Sequence, residues 1–126
     1  SPPRVIVLEI FYLYVLKCDR YIIMNRIKFL RDDIQIFLLS FDDSVVSKII
    51  NSLELLDELG DQIRPPRSKK VAKDIYELRV LTNLSVRILY TFHERNIWIL
   101  HAFVKKSQKI PRKELATAIN RLEYLH

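Results

Sequence analysis

Residues 75–105 read IYELRVLTNLSVRILYTFHERNIWILHAFVK, and this stretch decides the fold. Three runs within it, Ile75–Leu81, Val86–Phe92 and Ile97–Lys105, are rich in β-branched and aromatic residues. Such residues fit a pleated, half-buried surface. The polar breaks Thr82-Asn83-Leu84-Ser85 and His93-Glu94-Arg95-Asn96 separate the runs. Short strands joined by short polar loops predict an antiparallel meander.

Upstream the period changes. Ile27 and Phe29 form a short apolar run that reads as a first strand, and Ile34, Phe37, Leu38 and Phe41 recur at helical spacing. Asp42 or Asp43 can cap the next helix, because a carboxylate accepts bonds from the free N–H groups of a first turn. That helix carries Val45, Val46, Ile49, Ile50, Leu53, Leu55, Leu56 and Leu59 as one wide stripe. Gly60, the only glycine, ends it with a left-handed residue, and Pro65-Pro66 blocks continuation. Downstream, Pro111 opens a last helix at its first position, with Leu115, Ile119, Leu122 and Leu125 as the apolar stripe. The expected order is β-α-α-β-β-β-α, an α+β fold with helices packed on one face of a small antiparallel, partly mixed sheet.

The chain of 126 residues is about one domain long, and 49% of it is hydrophobic, enough for a core. One cysteine, Cys18, excludes an internal disulfide framework and a cysteine-rich zinc site. With one glycine there is no glycine-rich phosphate loop. His93, His101 and His126 have no metal-ligand spacing, and no Ser-His-Asp arrangement is evident. The net charge of +6 is unevenly spread. Asp32 to Asp61 holds eight acids and one base, whereas Arg64 to Lys113 holds thirteen bases and three acids. One part of the fold is therefore expected to meet a polyanion, nucleic acid or a membrane surface, and another part is not.

Residues 1–23 stand apart. Val5–Leu16 is nearly continuous apolar sequence, interrupted by Glu9. Twelve helical residues reach about 18 Å, short of the ~30 Å hydrocarbon core. Lys17, Asp19 and Arg20 oppose extending it through lipid. The segment is either an added strand or helix or an extension upstream of Met24 as the natural start, and the second is the expectation. No stable membrane association is expected.

Strand parity then places the charges, because successive side chains alternate faces. Trp98, Leu100, Ala102 and Val104 form an all-apolar face, assigned to the core. Ile99, His101, Phe103 and Lys105 fall opposite, as do Arg79 and Arg87 on their own strands. Arg79, Arg87, His101 and Lys105 are thus expected on one open sheet surface, bordered by loops bearing Lys69, Lys70, Lys106 and Lys109. For His101 a hydrogen-bonded structural role stands beside the functional one. The residue types suit metal-free cleavage of RNA, in which the ribose 2′-OH attacks the adjacent phosphate. That reaction needs a base, cations on the developing charge, and an acid for the leaving oxygen.

Residues 68–81 (SKKVAKDIYELRVL), Val86–Tyr90 (VRILY) and 100–114 (LHAFVKKSQKIPRKE) together resemble the RelE/ParE toxin superfamily, in its HigB-type, phage-derived branch. Tyr76-Glu77-Leu78-Arg79, Arg87 with Tyr90, and His101 through Pro111 match its pattern in order and spacing. The resemblance spans about Met24 to Leu125 and implies a toxin domain over residues 24–126. It implies the toxin of a type II toxin–antitoxin system, a ribosome-dependent messenger-RNA endonuclease that needs no cofactor and acts in the cytoplasm. Its implied partners are mRNA on the ribosome and a neutralising helix-turn-helix antitoxin. By the same resemblance Arg79 and Arg87 contact the scissile phosphate, Lys105 and Lys106 form the basic end of the last strand, and His101 carries a proton. The chain departs from the pattern at Ala102, often glycine, and at Ile110, often Ser or Thr. ParE-like members share the fold but inhibit gyrase, so a non-nuclease toxin or a nucleic-acid-binding module is the alternative.

Overall fold

The computed structural model describes residues 24–126, and the readings of residues 1–23 lie outside them. Five strands, β1 (Ile27–Phe29), β2 (Ser68–Ala72), β3 (Ile75–Arg79), β4 (Val86–His93) and β5 (Asn96–Val104), form one sheet in the order β1-β5-β4-β3-β2. β1 runs parallel to β5 and every other pairing is antiparallel. Three α-helices accompany it among the described residues: α1 (Asp32–Leu38), α2 (Asp43–Leu59) and α3 (Arg112–Leu122). The fold is α+β, as the periodicity predicts.

Local chemistry explains the element ends. Asp42 caps α2, its Oδ1 accepting the Val45 N–H at 3.0 Å. Gly60 follows α2 with φ +56, a conformation that penalises a Cβ, and the Arg26 guanidinium packs over it. Asp57, on the last turn of α2, accepts the backbone N–H groups of Asn25, Arg26 and Ile27 at 3.1, 2.6 and 3.0 Å. One carboxylate thereby pins the start of β1. Glu94 and Arg95 both adopt positive φ between β4 and β5, as a two-residue hairpin turn requires.

Four expectations need correction. A further strand, β2, lies in what reads as a loop, because SKKVA has no apolar alternation to announce an edge strand. The helices are not on one face. α1 and α2 pack through Ile34, Leu38, Val46, Ile49, Leu53 and Leu56 against one side of the sheet. α3 packs through Leu115, Ala118 and Leu122 against the other, over Leu89, Leu100 and Phe103. Parity in β5 also breaks. Leu89 pairs with His101 but Tyr90 pairs with Ile99, so Leu100 is an extra residue in the ladder. Such a bulge flips the faces beyond it. Trp98 and Leu100 therefore face α3, whereas Ala102 and Val104 face the α1–α2 side. Finally, Pro111 sits one position before α3 as its cap, and Ile119 is 44% exposed while Ala118 is fully buried. The stripe on α3 is Leu115, Ala118 and Leu122, one helical step of about 100° away from Ile119, and Leu125 joins it from the 3-10 turn Glu123–Leu125 that follows.

No described helix is long and apolar enough to cross a membrane.

Candidate active site

The sheet side that carries α3 is only partly covered. On its outer portion the register aligns Lys69 with Glu77, Arg79 with Arg87, and Arg87 with Phe103. Lys105, just past the end of β5, is anchored by its N–H to the Ser85 carbonyl at 2.7 Å. Four cations from four segments thus surround one carboxylate. Glu77 is fully buried, the Arg87 side chain 13% exposed and the Arg79 side chain 35% exposed. The carboxylate is the floor of a cationic hollow; Arg87 lies largely buried beside it, its Nη1 donating to the Val86 carbonyl at 3.1 Å, and Arg79 is the more exposed guanidinium.

The contacts of the two arginines with Glu77 are electrostatic rather than hydrogen-bonded. Arg87 Nε lies 3.8 Å and Arg79 Nε 4.0 Å from Glu77 Oε1. Both Glu77 oxygens and Arg87 Nε are buried without a hydrogen-bond partner among the described residues. Buried polar atoms are ordinarily satisfied. A donor left over beside a cationic rim is suited to an incoming anion, and a guanidinium matches a phosphate in particular.

Burial is the main cause that lowers the Lys105 pKa from its ordinary value. Glu77 opposes that shift, and Arg87, Lys69 and Arg79 add to it. Arg87 is lowered in the same way, by burial first, with Glu77 opposing and Arg79 adding. Lys105 therefore yields its proton more readily than a lysine in water, which equips it for acid–base work.

His101 lies on the same sheet side but is engaged elsewhere. Its Nε2 is 2.9 Å from Glu114 Oε1, and Arg121 Nη1, which also donates to the Leu100 carbonyl at 2.8 Å, is 3.3 Å from its Nδ1. A guanidinium can only donate, so Nδ1 accepts and Nε2–H donates to Glu114. Both ring nitrogens hold α3, while the ring stacks on Phe103 at 5.8 Å. Of the expected catalytic residues, the structure brings together Arg79, Arg87 and Lys105 and leaves His101 at the border with α3. Lys69 joins the group. Lys70 is in register with Tyr76, so strand alternation directs it to the other side of the sheet. Lys106 and Lys109 are exposed on the loop leading to α3.

Sequence reasoning missed Glu77 as a site residue. The signal was present: in Tyr76-Glu77-Leu78-Arg79 the acid shares the parity of Arg79 and opposes Leu89 across the ladder. A buried acid among arginines sets their geometry.

The fold and the hollow define a small α+β protein with a cationic face. Residues 36–123 match the family described as phage-derived protein Gp49-like (DUF891), and the chain belongs to that family. No curated protein matches the chain.

Proposed function

We propose that this Gp49-like protein is the toxin of a type II toxin–antitoxin system, of the RelE/HigB type, and that it cuts messenger RNA on the ribosome. The reading is carried by one observation: Arg79, Arg87, Lys69 and Lys105 converge over buried Glu77 on a sheet side that α3 leaves partly open.

The chemistry follows from that arrangement. The guanidiniums of Arg79 and Arg87 hold the non-bridging oxygens of one phosphodiester and take up the negative charge that grows as the phosphorus becomes five-coordinate. Lys105 in its neutral form accepts the 2′-OH proton. The 2′-oxygen then bonds to phosphorus and the P–O5′ bond breaks. The departing 5′-oxygen takes a proton from solvent water, and the Lys105 ammonium returns its proton to solvent, so the products are a 2′,3′-cyclic phosphate and a 5′-OH. His101 acts at one remove by holding α3 at the border of the hollow. The neutralising partner in this reading is a helix-turn-helix antitoxin.

The test is primer extension on ribosome-bound message. The unaltered chain is expected to give discrete new 5′ ends, and Arg87→Ala or Lys105→Ala is expected to reduce their yield at least 100-fold. Intact message with the folded, unaltered chain would reject cleavage and leave a toxin that acts by binding alone.

A further inference from the structure

On the opposite side of the sheet, at the β2–β3 edge, a cleft of about 610 Å³ lies beyond the last turn of α2. Its wall is aromatic. Tyr76 stacks on Tyr90 with centroids 5.6 Å apart, and Phe92 meets both rings edge-on at 5.4 and 5.6 Å. Tyr90 is buried, and its hydroxyl is fixed by Ser68 Oγ at 2.5 Å, whereas Tyr76 and Phe92 remain half-buried. Among the described residues the rim carries Arg26, Arg64 and Lys70 against a single acid, Asp61, and Lys69 borders the cleft where β2 forms its edge.

Aromatic faces beneath a cationic rim fit a nucleobase with its phosphates. The volume falls within the range of about 300–1,000 Å³ typical of small-ligand pockets. A carboxylate-rich peptide would use the cations but not the rings. β2 links this cleft to the hollow. It is the edge strand, and its neighbouring residues Lys69 and Lys70 fall in register with Glu77 and Tyr76, on the two sides of the sheet. A strand of RNA folded over that edge meets a cation on each side.

We infer that the Arg26–Arg64–Lys70 cleft binds one unpaired nucleotide of the RNA strand whose phosphodiester occupies the Arg79–Arg87 hollow. The base packs against Tyr76 and Phe92, and its flanking phosphates meet the rim. The joint use of one strand rests on the nuclease reading above, whereas nucleotide binding in the cleft stands on the cleft's own geometry.

The experiment uses the full chain carrying Arg87→Ala, which leaves RNA uncut, and a fluorescein-labelled single-stranded RNA octamer followed by anisotropy. Adding Arg64→Glu and Lys70→Glu, both at exposed positions, is expected to weaken binding at least tenfold with the thermal unfolding midpoint retained. A 4-thiouridine octamer is expected to photo-crosslink to peptides containing Tyr76 or Phe92. Affinity unchanged within twofold, crosslinks confined to other peptides, or an oligoglutamate peptide binding the cleft where RNA does not would each overturn the inference. Cleavage by the unaltered chain is scored separately. Crosslinks in the cleft without cleavage reject the nuclease reading and uphold the cleft, and cleavage without cleft crosslinks does the reverse.

Discussion

Glu77 shows how one residue organises the hollow. Its carboxylate holds no hydrogen bond among the described residues, and its influence on Arg79, Arg87 and Lys105 is Coulombic and acts on all three together. Glu77→Gln removes the group that opposes the lowering of the Lys105 pKa. The limb of cleavage rate against pH that reports neutral Lys105 is then expected to move to lower pH, and Lys105→Ala to abolish it. The same change leaves clustered cations uncompensated and is expected to destabilise the fold by about 1–3 kcal/mol in denaturant titration. Acid stability rests on other carboxylates. The Arg31 hydrogen bond holds the Asp33 carboxyl below its ordinary range, and the Val45 N–H does the same for Asp42. A depressed folded-state pKa adds stability that is complete above the unfolded carboxylate range and is lost as pH falls through the folded value. The unfolding midpoint is expected to drop below about pH 4, and to drop less steeply in Asp33→Asn and Asp42→Asn. An equally steep loss in both variants would assign acid sensitivity elsewhere.

Among the elements, β5 and α3 act together. The extra residue Leu100 turns Trp98 and Leu100 toward α3, and His101 ties the helix down through Glu114 and Arg121. His101→Ala is expected to weaken the docking of α3 by about 1–2 kcal/mol. Hydrogen exchange across Arg112–Leu122 would read this as faster exchange, with cleavage falling much less than in Arg87→Ala. An equal fall in cleavage with unchanged exchange would return His101 to the chemistry. The sequence made β3, β4 and α2 legible because their apolar residues repeat at the period of the element. It hid β2, an edge strand in which only the adjacent Lys69 and Lys70 are exposed, one on each side, so no apolar alternation marks it. It also hid the side on which α3 lies, because a bulge lets every second residue of β5 look apolar while the real faces change at Leu100. Arg79, Arg87 and Lys105 could be read as a group because none of their parities crosses that bulge. His101 could not be settled by parity, since its partners come from a helix placed by tertiary packing.

Across the described residues the sheet separates two cores, while charge is divided along the chain. Leu53, fully buried in the α2 layer, anchors the larger core, and Leu53→Ala is expected to cost about 2–5 kcal/mol. Acidic residues concentrate in the segment containing α1 and α2, and basic residues in the segment from Arg64 to Lys113 that holds β2 to β5. RNA affinity should therefore fall with salt, with a log–log slope near −2 to −3 if three or four phosphates are neutralised. Lys70→Ala, at the rim that meets a flanking phosphate, should reduce that slope by about 0.7, and a salt-independent affinity would contradict an ionic interface. The most direct test of the account is the chemistry of the ends left on a ribosome-bound message. The account predicts a 2′,3′-cyclic phosphate upstream and a 5′-OH downstream, both absent when Arg79→Ala and Arg87→Ala are combined in a folded chain. Ends bearing 3′-OH and 5′-phosphate, or the same cyclic ends from the double variant, would contradict it.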